Sequence, residues 1–422
     1  MPTTWSGRAL TGPAQVPCFP KARPPYGANR ERSRPASNTE MSKKILIISP
    51  TPSHPQTAGN RSRILSFAES FRSLGHEVDF VCLGMESGDE QALRAYWGDR
   101  YHSVPYTRPR NRLRALRRRA GRLLGYDDWR YTCGVDDWYD PALGEAVQAL
   151  HRARAYDTVV AEYVFLSKVL EGFDGQVRKV LDTHDVFTRR HERYLAEGMK
   201  PRWFSTTRAE EARGLARADT IVAIQGAEAE YFRSITDKEV VTIGHSVELS
   251  PLNGRDVVPG RLLFVGSRNV INVRAVELFM DKVLPEVKAR VAQAHLAVAG
   301  SVCDEVSDHP DMVKLGVVDE LSQAYACADI VVIPMSLGTG LKIKTIEALG
   351  YGKPVVSTAV GAEGLEPWAG SAFRSVDHVR ELGAAIVDLL GDPQRKARYA
   401  DEARRFAREW NARCAQGIER LV

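Results

Sequence analysis

The feature that most constrains the fold is an alternation of short apolar runs with amphipathic helical segments, which occurs in two series. In the first series the apolar run KILIIS, from Lys44, precedes a polar loop and the helical pattern RSRILSFAESFRSLG, which ends at Gly75. Further runs follow at EVDFVCL, DTVVAEY, RKVLDT, DTIVAIQ and EVVTIG. Strands that alternate with helices in this way form parallel sheets covered by helices on both faces.

The second series begins after a segment rich in proline and glycine at residues 251–260, and its apolar runs are RLLFVGS, HLAVAG, DMVKLG, DIVVIP and KPVVST. A chain of 422 residues exceeds what a single hydrophobic core usually holds. We therefore predict an α/β protein with two doubly wound, Rossmann-like domains, at residues 41–249 and 259–422. Ligands bind beyond the carboxyl ends of such strands, so the site is expected in the cleft between the domains.

The ends of the chain and its composition narrow the class of protein. Residues 1–40 lack apolar periodicity and are expected to be a disordered extension, with Met41 as a plausible initiator. The sequence has no run of about 18 apolar residues, which favours a cytoplasmic protein. Six scattered cysteines predict free thiols, and neither a metal site nor a cofactor is expected. A net charge of +5 does not argue for nucleic acid as a partner.

The strongest chemical signal is the segment PMSLGTGLKIKTIEALGYGKPVVST at residues 334–358. It leaves a strand, passes a glycine-rich turn with two lysines and enters a helix. Glycines let a backbone approach an anion, a helix N-terminus offers free N–H groups, and lysine adds full positive charge. The segment thus predicts a diphosphate-binding loop. An isolated Gly-x-Gly would instead favour an ordinary strand–loop–helix connection with solvated lysines. Its candidate ligand-binding residues are Gly338, Thr339, Gly340, Leu341, Lys342 and Glu347.

With the continuation through Pro354, the sequence resembles the retaining GT-B glycosyltransferases of family 4, the glycosyl transferases group 1 type, over nearly all of residues 44–422. In that family a Glu at the position of Glu347 contacts the ribose of the donor. Relatives often carry a second Glu, which touches the donor sugar, where this chain has Thr339. The resemblance implies transfer, with retention, from a nucleotide-diphosphate sugar to a saccharide or lipid-linked acceptor in cell-surface polysaccharide or glycolipid synthesis.

The same resemblance assigns further donor contacts. Gly266 and Ser267 end the first strand of the second series, where many relatives place an Arg and then a Lys. We take Arg268 and Lys342 as candidates for those cations, although an ordinary strand–helix turn explains Arg268 alone equally well. Val318 lies in the segment that resembles the region whose backbone meets the nucleotide base.

Three candidates for the reacting centre come from the first series. The strand in VLDTHDVF delivers His184 and Asp185 to the cleft, and in the family a His at this position approaches the donor sugar. A lone His after a strand is more often structural, and Asp185 is the alternative polar group. Gly59 matches glycines that relatives place beside the reacting centre, where a side chain would intrude on the donor.

Other activities remain open at this stage. The sequence shows no Asp-x-Asp motif at a strand end, which argues against metal-dependent glycosyltransferases of the other main fold. A non-catalytic nucleotide-sugar-binding protein and a nucleotide-sugar 2-epimerase of the same fold are the alternatives.

An arginine-rich stretch predicts one further contact. Residues 108–122 hold eight arginines and no acid, with leucines interleaved. A helix here could bury a narrow apolar stripe while its basic flanks meet an anionic membrane, which would place the protein peripherally at the inner membrane face. A solvated basic helix is the competing interpretation.

Overall fold

The first lobe of the computed structural model is a parallel sheet of seven strands in the order β3-β2-β1-β4-β5-β6-β7. Residues 45–48 of one interior strand are completely buried, as expected for a sheet covered on both faces. The strands are β1 (Lys44–Ser49), β2 (Glu77–Leu83), β3 (Tyr101–Val104), β4 (Thr158–Glu162), β5 (Arg178–Asp182), β6 (Thr220–Ala223) and β7 (Glu239–Thr242). The structure describes residues 42–56, 58–107, 112–196, 198–201, 203–249, 257–318, 320–338 and 340–422.

Helices cover both faces of this sheet. Several begin at a side-chain cap: the Asp140 carboxylate accepts a hydrogen bond from the Ala142 N–H, and Pro141 occupies the first helical position. The helices are α1 (Gly59–Ser73), α2 (Glu90–Trp97), α3 (Arg112–Leu124), α4 (Asp127–Tyr131), α5 (Pro141–Arg154), α6 (Arg190–Ala196), α7 (Arg208–Leu215) and α8 (Gly226–Arg233).

The second lobe repeats the architecture with a six-stranded parallel sheet in the order β10-β9-β8-β11-β12-β13. Its strands are β8 (Arg261–Val265), β9 (His295–Ala299), β10 (Met312–Gly316), β11 (Ile330–Ile333), β12 (Val355–Thr358) and β13 (Arg374–Val376). Its helices are α9 (Val270–Leu278), α10 (Leu284–Arg290), α11 (Leu321–Cys327), α12 (Ile343–Gly350), α13 (Leu382–Leu390) and α14 (Pro393–Glu419). The prediction of two doubly wound α/β lobes is confirmed.

Two strands were not predicted from the sequence. Both β3 and β13 are short edge strands, and β13 has no fully buried residue. An edge strand of three or four residues with polar positions carries too little apolar periodicity to be recognised.

The last helix joins the two lobes. Early in α14, Tyr399 and Phe406 are buried in the core of the second lobe, whereas Cys414 and Ile418 are buried in the core beneath β1 and α1. Between them, Trp410 Nε1 donates to the His245 carbonyl at 2.8 Å. The last helix therefore returns from the second lobe to the first.

Some predictions fall on residues that are not described. The expected disorder of residues 1–40 and the first arginines of the basic stretch, Arg108 and Arg110, lie outside the described ranges. Among the described residues no helix is long and apolar enough to cross a membrane.

Candidate active site

A cavity of about 920 Å³ lies between the lobes, at the carboxyl ends of both sheets. Its volume is within the range of small-molecule binding sites. Eleven of the predicted site residues line it: Gly59, His184, Asp185, Gly266, Ser267, Arg268, Val318, Gly338, Leu341, Lys342 and Glu347. Gly340 lies outside the lining residues and Thr339 outside the described ones.

The N-terminus of α12 opens into this cavity. Its N-cap residue is Lys342, whose side chain makes no capping hydrogen bond. The first N–H groups of a helix have no partner within the helix, and its dipole favours a negative charge there. Because Lys342 and Ile343 both line the cavity, this helix end is a suitable place for a phosphate.

Lys342 is already engaged by the protein. Its Nζ donates to the Gly340 carbonyl at 2.5 Å and to Glu363 Oε2 at 3.4 Å. Burial lowers the pKa of Lys342, and the negative charges of Glu363 and Asp185 oppose that shift. A diphosphate that reaches this amine therefore competes with Glu363.

A second lysine, Lys344, is half-buried and lies two residues further along, about half a helical turn. Lys344 Nζ donates to Asn272 Oδ1 at 2.6 Å and lies 4.4 Å from the centre of the Phe264 ring. Burial, and then the charge of Lys342, lower the pKa of Lys344 to about 7, while burial raises the pKa of Glu347 to about 7. An anion in the cavity would favour the charged form of Lys344, because an opposite charge offsets its desolvation.

The candidate Arg268 is placed differently from what the sequence suggested. Its side chain is 56% exposed at the rim of the cavity and forms ion pairs with Asp304 and Glu305. Lys344, half-buried at the cavity and held by Asn272, is in a better position to supply a cation on this side. One feature of the sequence indicates that Lys344 belongs to the site: Lys344 and Glu347 are three residues apart and therefore share a helix face.

The glycines of the site are required by close contacts and backbone conformation. A Cβ on Gly59 would lie 2.8 Å from Cδ1 of Ile343, so Gly59 lets the first lobe contact the start of α12. The structural reason is thus a contact between lobes, whereas the sequence suggested only room for a donor. Gly338 and Gly340 have φ values of 120° and 73°, in the region that favours glycine.

On the first-lobe side, His184 is held by groups from two strands. Its Nε2 lies 2.5 Å from Glu162 Oε2 and 3.6 Å from Asp182 Oδ2. Tyr163 stacks on its ring, with the ring centres 4.1 Å apart. The adjacent Asp185 carboxylate accepts from Arg190 Nε at 2.9 Å.

Arg63 completes this network beneath the cavity. Its Nε and Nη2 donate to the two oxygens of Asp182 at 2.7 and 2.8 Å, and further donors reach the carbonyls of Ile243 and Gly244. Burial alone would raise the pKa of Asp182, but the charges of Arg63 and then His184 bring it below its ordinary value. The guanidinium therefore ties α1 to the ends of β5 and β7.

Two models of known protein families match this chain. Residues 58–243 match the glycosyl transferase 4-like domain, and residues 259–392 match the glycosyl transferases group 1 domain. The two matched regions correspond to the two lobes. The chain is a GT-B glycosyltransferase.

Solved structures support the fold of this glycosyltransferase. Sucrose-phosphate synthase from Thermosynechococcus elongatus matches with a TM-score of 0.61 and 16% identity, over 89% of this chain and 97% of that one. HepE from Anabaena, in complex with UDP and glucose, has a TM-score of 0.58 and 16% identity, over 90% and 99%. The pneumococcal O-GlcNAc transferase GtfA, with UDP and GlcNAc, has a TM-score of 0.59 and 12% identity, over 90% and 99%. No curated protein matches the sequence significantly.

Two groups of three side chains in the glycosyltransferase have the spacing of metal ligands within the described residues. One is Glu162, Asp182 and His184, where Arg63 and the imidazole already engage the carboxylates. The other is Asp128, His191 and Glu192, where Arg189 pairs with both acids. Protein side chains thus already engage these carboxylates, and the expectation of no metal stays a prediction.

Proposed function

We propose that this glycosyltransferase moves the sugar of a UDP-sugar, with retention and without a metal, onto a saccharide or lipid-linked acceptor. One observation carries the proposal: a single cleft brings the open N-terminus of α12, Lys342, Lys344 and Glu347 to face His184. UDP as the donor nucleotide is supported by HepE and GtfA, both solved with UDP bound in structures of the same fold.

The residues divide into two roles. Transfer requires the departing diphosphate to be stabilised as charge develops on it, and fixed dipoles and cations aimed at that charge do so most effectively in a water-poor site. Helix α12 and its two lysines serve this purpose, while Glu347 can accept hydrogen bonds from the ribose. His184 and Asp185 face the same cavity from the first lobe, where the sugar would lie.

The donor can be identified by thermal denaturation with UDP, GDP, ADP and dTDP. A ligand at about 100 times its Kd stabilises the folded protein by about 2.7 kcal/mol, so UDP is expected to raise the melting temperature most. Hydrolysis of UDP-glucose and UDP-GlcNAc, followed by UDP release in EDTA, then tests catalysis. Activity that EDTA abolishes and Mn²⁺ restores contradicts the metal-free mechanism.

The same assay separates the alternatives. UDP-sugar binding without UDP release indicates a non-catalytic binding protein, and conversion of the intact UDP-sugar to its 2-epimer indicates an epimerase. Stabilisation by none of the four nucleotides contradicts the proposal as a whole.

A membrane-bound acceptor is supported by the surface of α3. Leu113, Leu116 and Leu123 on this helix are 80%, 65% and 80% exposed. Exposed arginines accompany them at positions 112, 117, 118, 119 and 122. A helix with exposed leucines and basic flanks suits the interface of an anionic bilayer, where each basic residue contributes about 1 kcal/mol.

Sedimentation with liposomes tests this contact. The protein is expected to bind vesicles that contain anionic lipid, less at high salt, and Arg118→Glu/Arg119→Glu is expected to weaken binding by about 10-fold or more. Arg405→Glu/Arg408→Glu on α14 makes the same charge change on an exposed face elsewhere and should leave binding unchanged. Equal binding to neutral vesicles, or none to either, contradicts the contact and favours a soluble acceptor.

A further inference from the structure

Glu162 ends β4 directly behind His184, in a position that excludes water. Glu162 and Asp182 have no exposed side-chain surface, and the side chain of His184 is only 6% exposed. The imidazole Nε2 lies 2.5 Å from the Glu162 carboxylate, with the Asp182 carboxylate 3.6 Å away. One ring nitrogen of His184 therefore faces two buried acids.

The ring is fixed in other directions as well. Tyr163 stacks on it with an interplanar angle of 9°, and the Tyr163 hydroxyl in turn accepts from Asn60 Nδ2 at 3.0 Å. His184 and Tyr163 have φ values of 60° and 69°, which are uncommon for residues other than glycine. Such conformations persist only where the surroundings hold them, and they cluster at active sites.

The charges of the cluster do not balance while His184 is neutral. Arg63 is the guanidinium bound to Asp182, so one cation faces two carboxylates. A buried net charge is unfavourable in free energy, and a second proton on the imidazole neutralises this negative charge. Burial, and then the charge of Asp182, raise the pKa of Glu162 to about 7, so a proton on the Glu162 carboxyl group is the competing way to remove this charge.

We propose that Glu162 is a positioning residue for His184: it accepts the Nε2 proton and keeps the imidazole doubly protonated, so that Nδ1–H donates to an oxygen of the bound nucleotide-sugar. The assignment of that oxygen to a nucleotide-sugar rests on the proposed function. The charged and titratable groups around the ring include Glu162 on β4, Tyr163 after it, Asp182 on β5, Arg63 on α1, Asp185 with its partner Arg190, and Glu228 on α8, whose carboxylate interacts with Asp185 and Arg63.

Nitrogen-15 NMR of the histidine side chains in the full-length protein tests the proposal without an activity assay. The His184 signals are assigned by their loss in His184→Gln. In the unmodified protein at pH 7 both ring nitrogens are expected to carry a proton. In Glu162→Gln, which keeps the volume and removes the charge, the ring is expected to be singly protonated at pH 7. A singly protonated ring in the unmodified protein overturns the proposal.

Kinetics provide the second readout. Glu162→Gln is expected to lower kcat/KM for the donor by about 10- to 100-fold, as for the loss of one charge-assisted contact. Glu162→Asp retains the charge. We therefore expect it to restore part of the activity and part of the double protonation of the His184 ring. Glu162→Gln with unchanged ring protonation and unchanged kcat/KM overturns the proposal. If UDP-sugars prove not to be donors, the NMR result still decides the role of Glu162.

Asp79→Asn is a matched control. Asp79 is 1% exposed and pairs with Arg100 and Arg154, near the start of β2 and away from the residues that line the cleft. Asp79→Asn therefore shows how the loss of a buried carboxylate away from the cleft affects the stability of the protein. The His184 signals and kcat/KM are expected to stay unchanged, and a change equal to that of Glu162→Gln would show that Glu162 has only a structural role.

Discussion

Replacing Arg63 with methionine is expected to lower the free energy of unfolding by about 3–5 kcal/mol, the largest effect of any single substitution considered for this protein. The side chain of Arg63 is 1% exposed, and its partner Asp182 is completely buried. Methionine fills much of the volume but leaves the Asp182 carboxylate without its guanidinium partner and leaves the carbonyls of Ile243 and Gly244 without their donors. Urea denaturation measures the change.

Two controls show whether this loss comes from the buried charge. Arg404 forms an exposed pair with Asp401, and Arg404→Met is expected to cost less than about 1 kcal/mol. Arg63→Met/Asp182→Asn removes the stranded charge and is expected to recover part of the stability. A loss below about 1 kcal/mol in Arg63→Met contradicts the role given to this ion pair.

The same pair gives stability a dependence on pH. The pKa of Asp182 is lowered from 3.8, so its contribution is present above about pH 4 and is lost as the pH falls through the lower, folded-state value. Acid unfolding of Arg63→Met should therefore depend less on this carboxylate than that of the unmodified protein.

Lys342→Ala is expected to weaken UDP binding by about 10- to 100-fold, the free-energy equivalent of one charge-assisted hydrogen bond to phosphate. Its Nζ is held near the N-terminus of α12 by the Gly340 carbonyl and by Glu363. Since Glu363 competes with a phosphate for this amine, Glu363→Gln is expected to leave UDP affinity unchanged or to raise it. Isothermal titration calorimetry measures both variants.

Lys353→Ala is the control for this experiment. Lys353 is also buried in the second lobe, and burial lowers its pKa to about 8, but it lies near Asp329 and does not line the cleft. Its removal should leave UDP affinity unchanged. If Lys342→Ala binds UDP as tightly as the unmodified protein does, the diphosphate lies elsewhere.

The parts of the fold that the sequence predicts are those with local signals. The central strands are continuous apolar runs, and the loop before α12 combines glycines, lysines and a helix start within ten residues. The edge strands β3 and β13 lack such a signal because they are short and partly polar. The exposed leucines of α3 follow directly from the pattern of residues 113–124.

The charge network around His184 could not be predicted because its members come from distant parts of the chain. Arg63 and Asp182 are 119 residues apart, and only the parallel order of β4, β5 and the helix after β1 brings them together. Glu162 lies at the polar end of the apolar run DTVVAEY, and nothing in that run indicates its partner His184. Similarly, Arg268 looked like a free cation because Asp304 and Glu305, which bind it, follow the next strand.

A crystal structure of the protein with UDP tests the proposed donor site most directly. We expect the diphosphate at the N-terminus of α12 within hydrogen-bonding distance of Lys342 or Lys344, the ribose hydroxyls at Glu347, and the uracil beside Val318. We also expect His184 to remain hydrogen-bonded to Glu162 and to face the β-phosphate side of the cleft. UDP bound outside the cleft, or within it but away from α12, would contradict the proposed donor site.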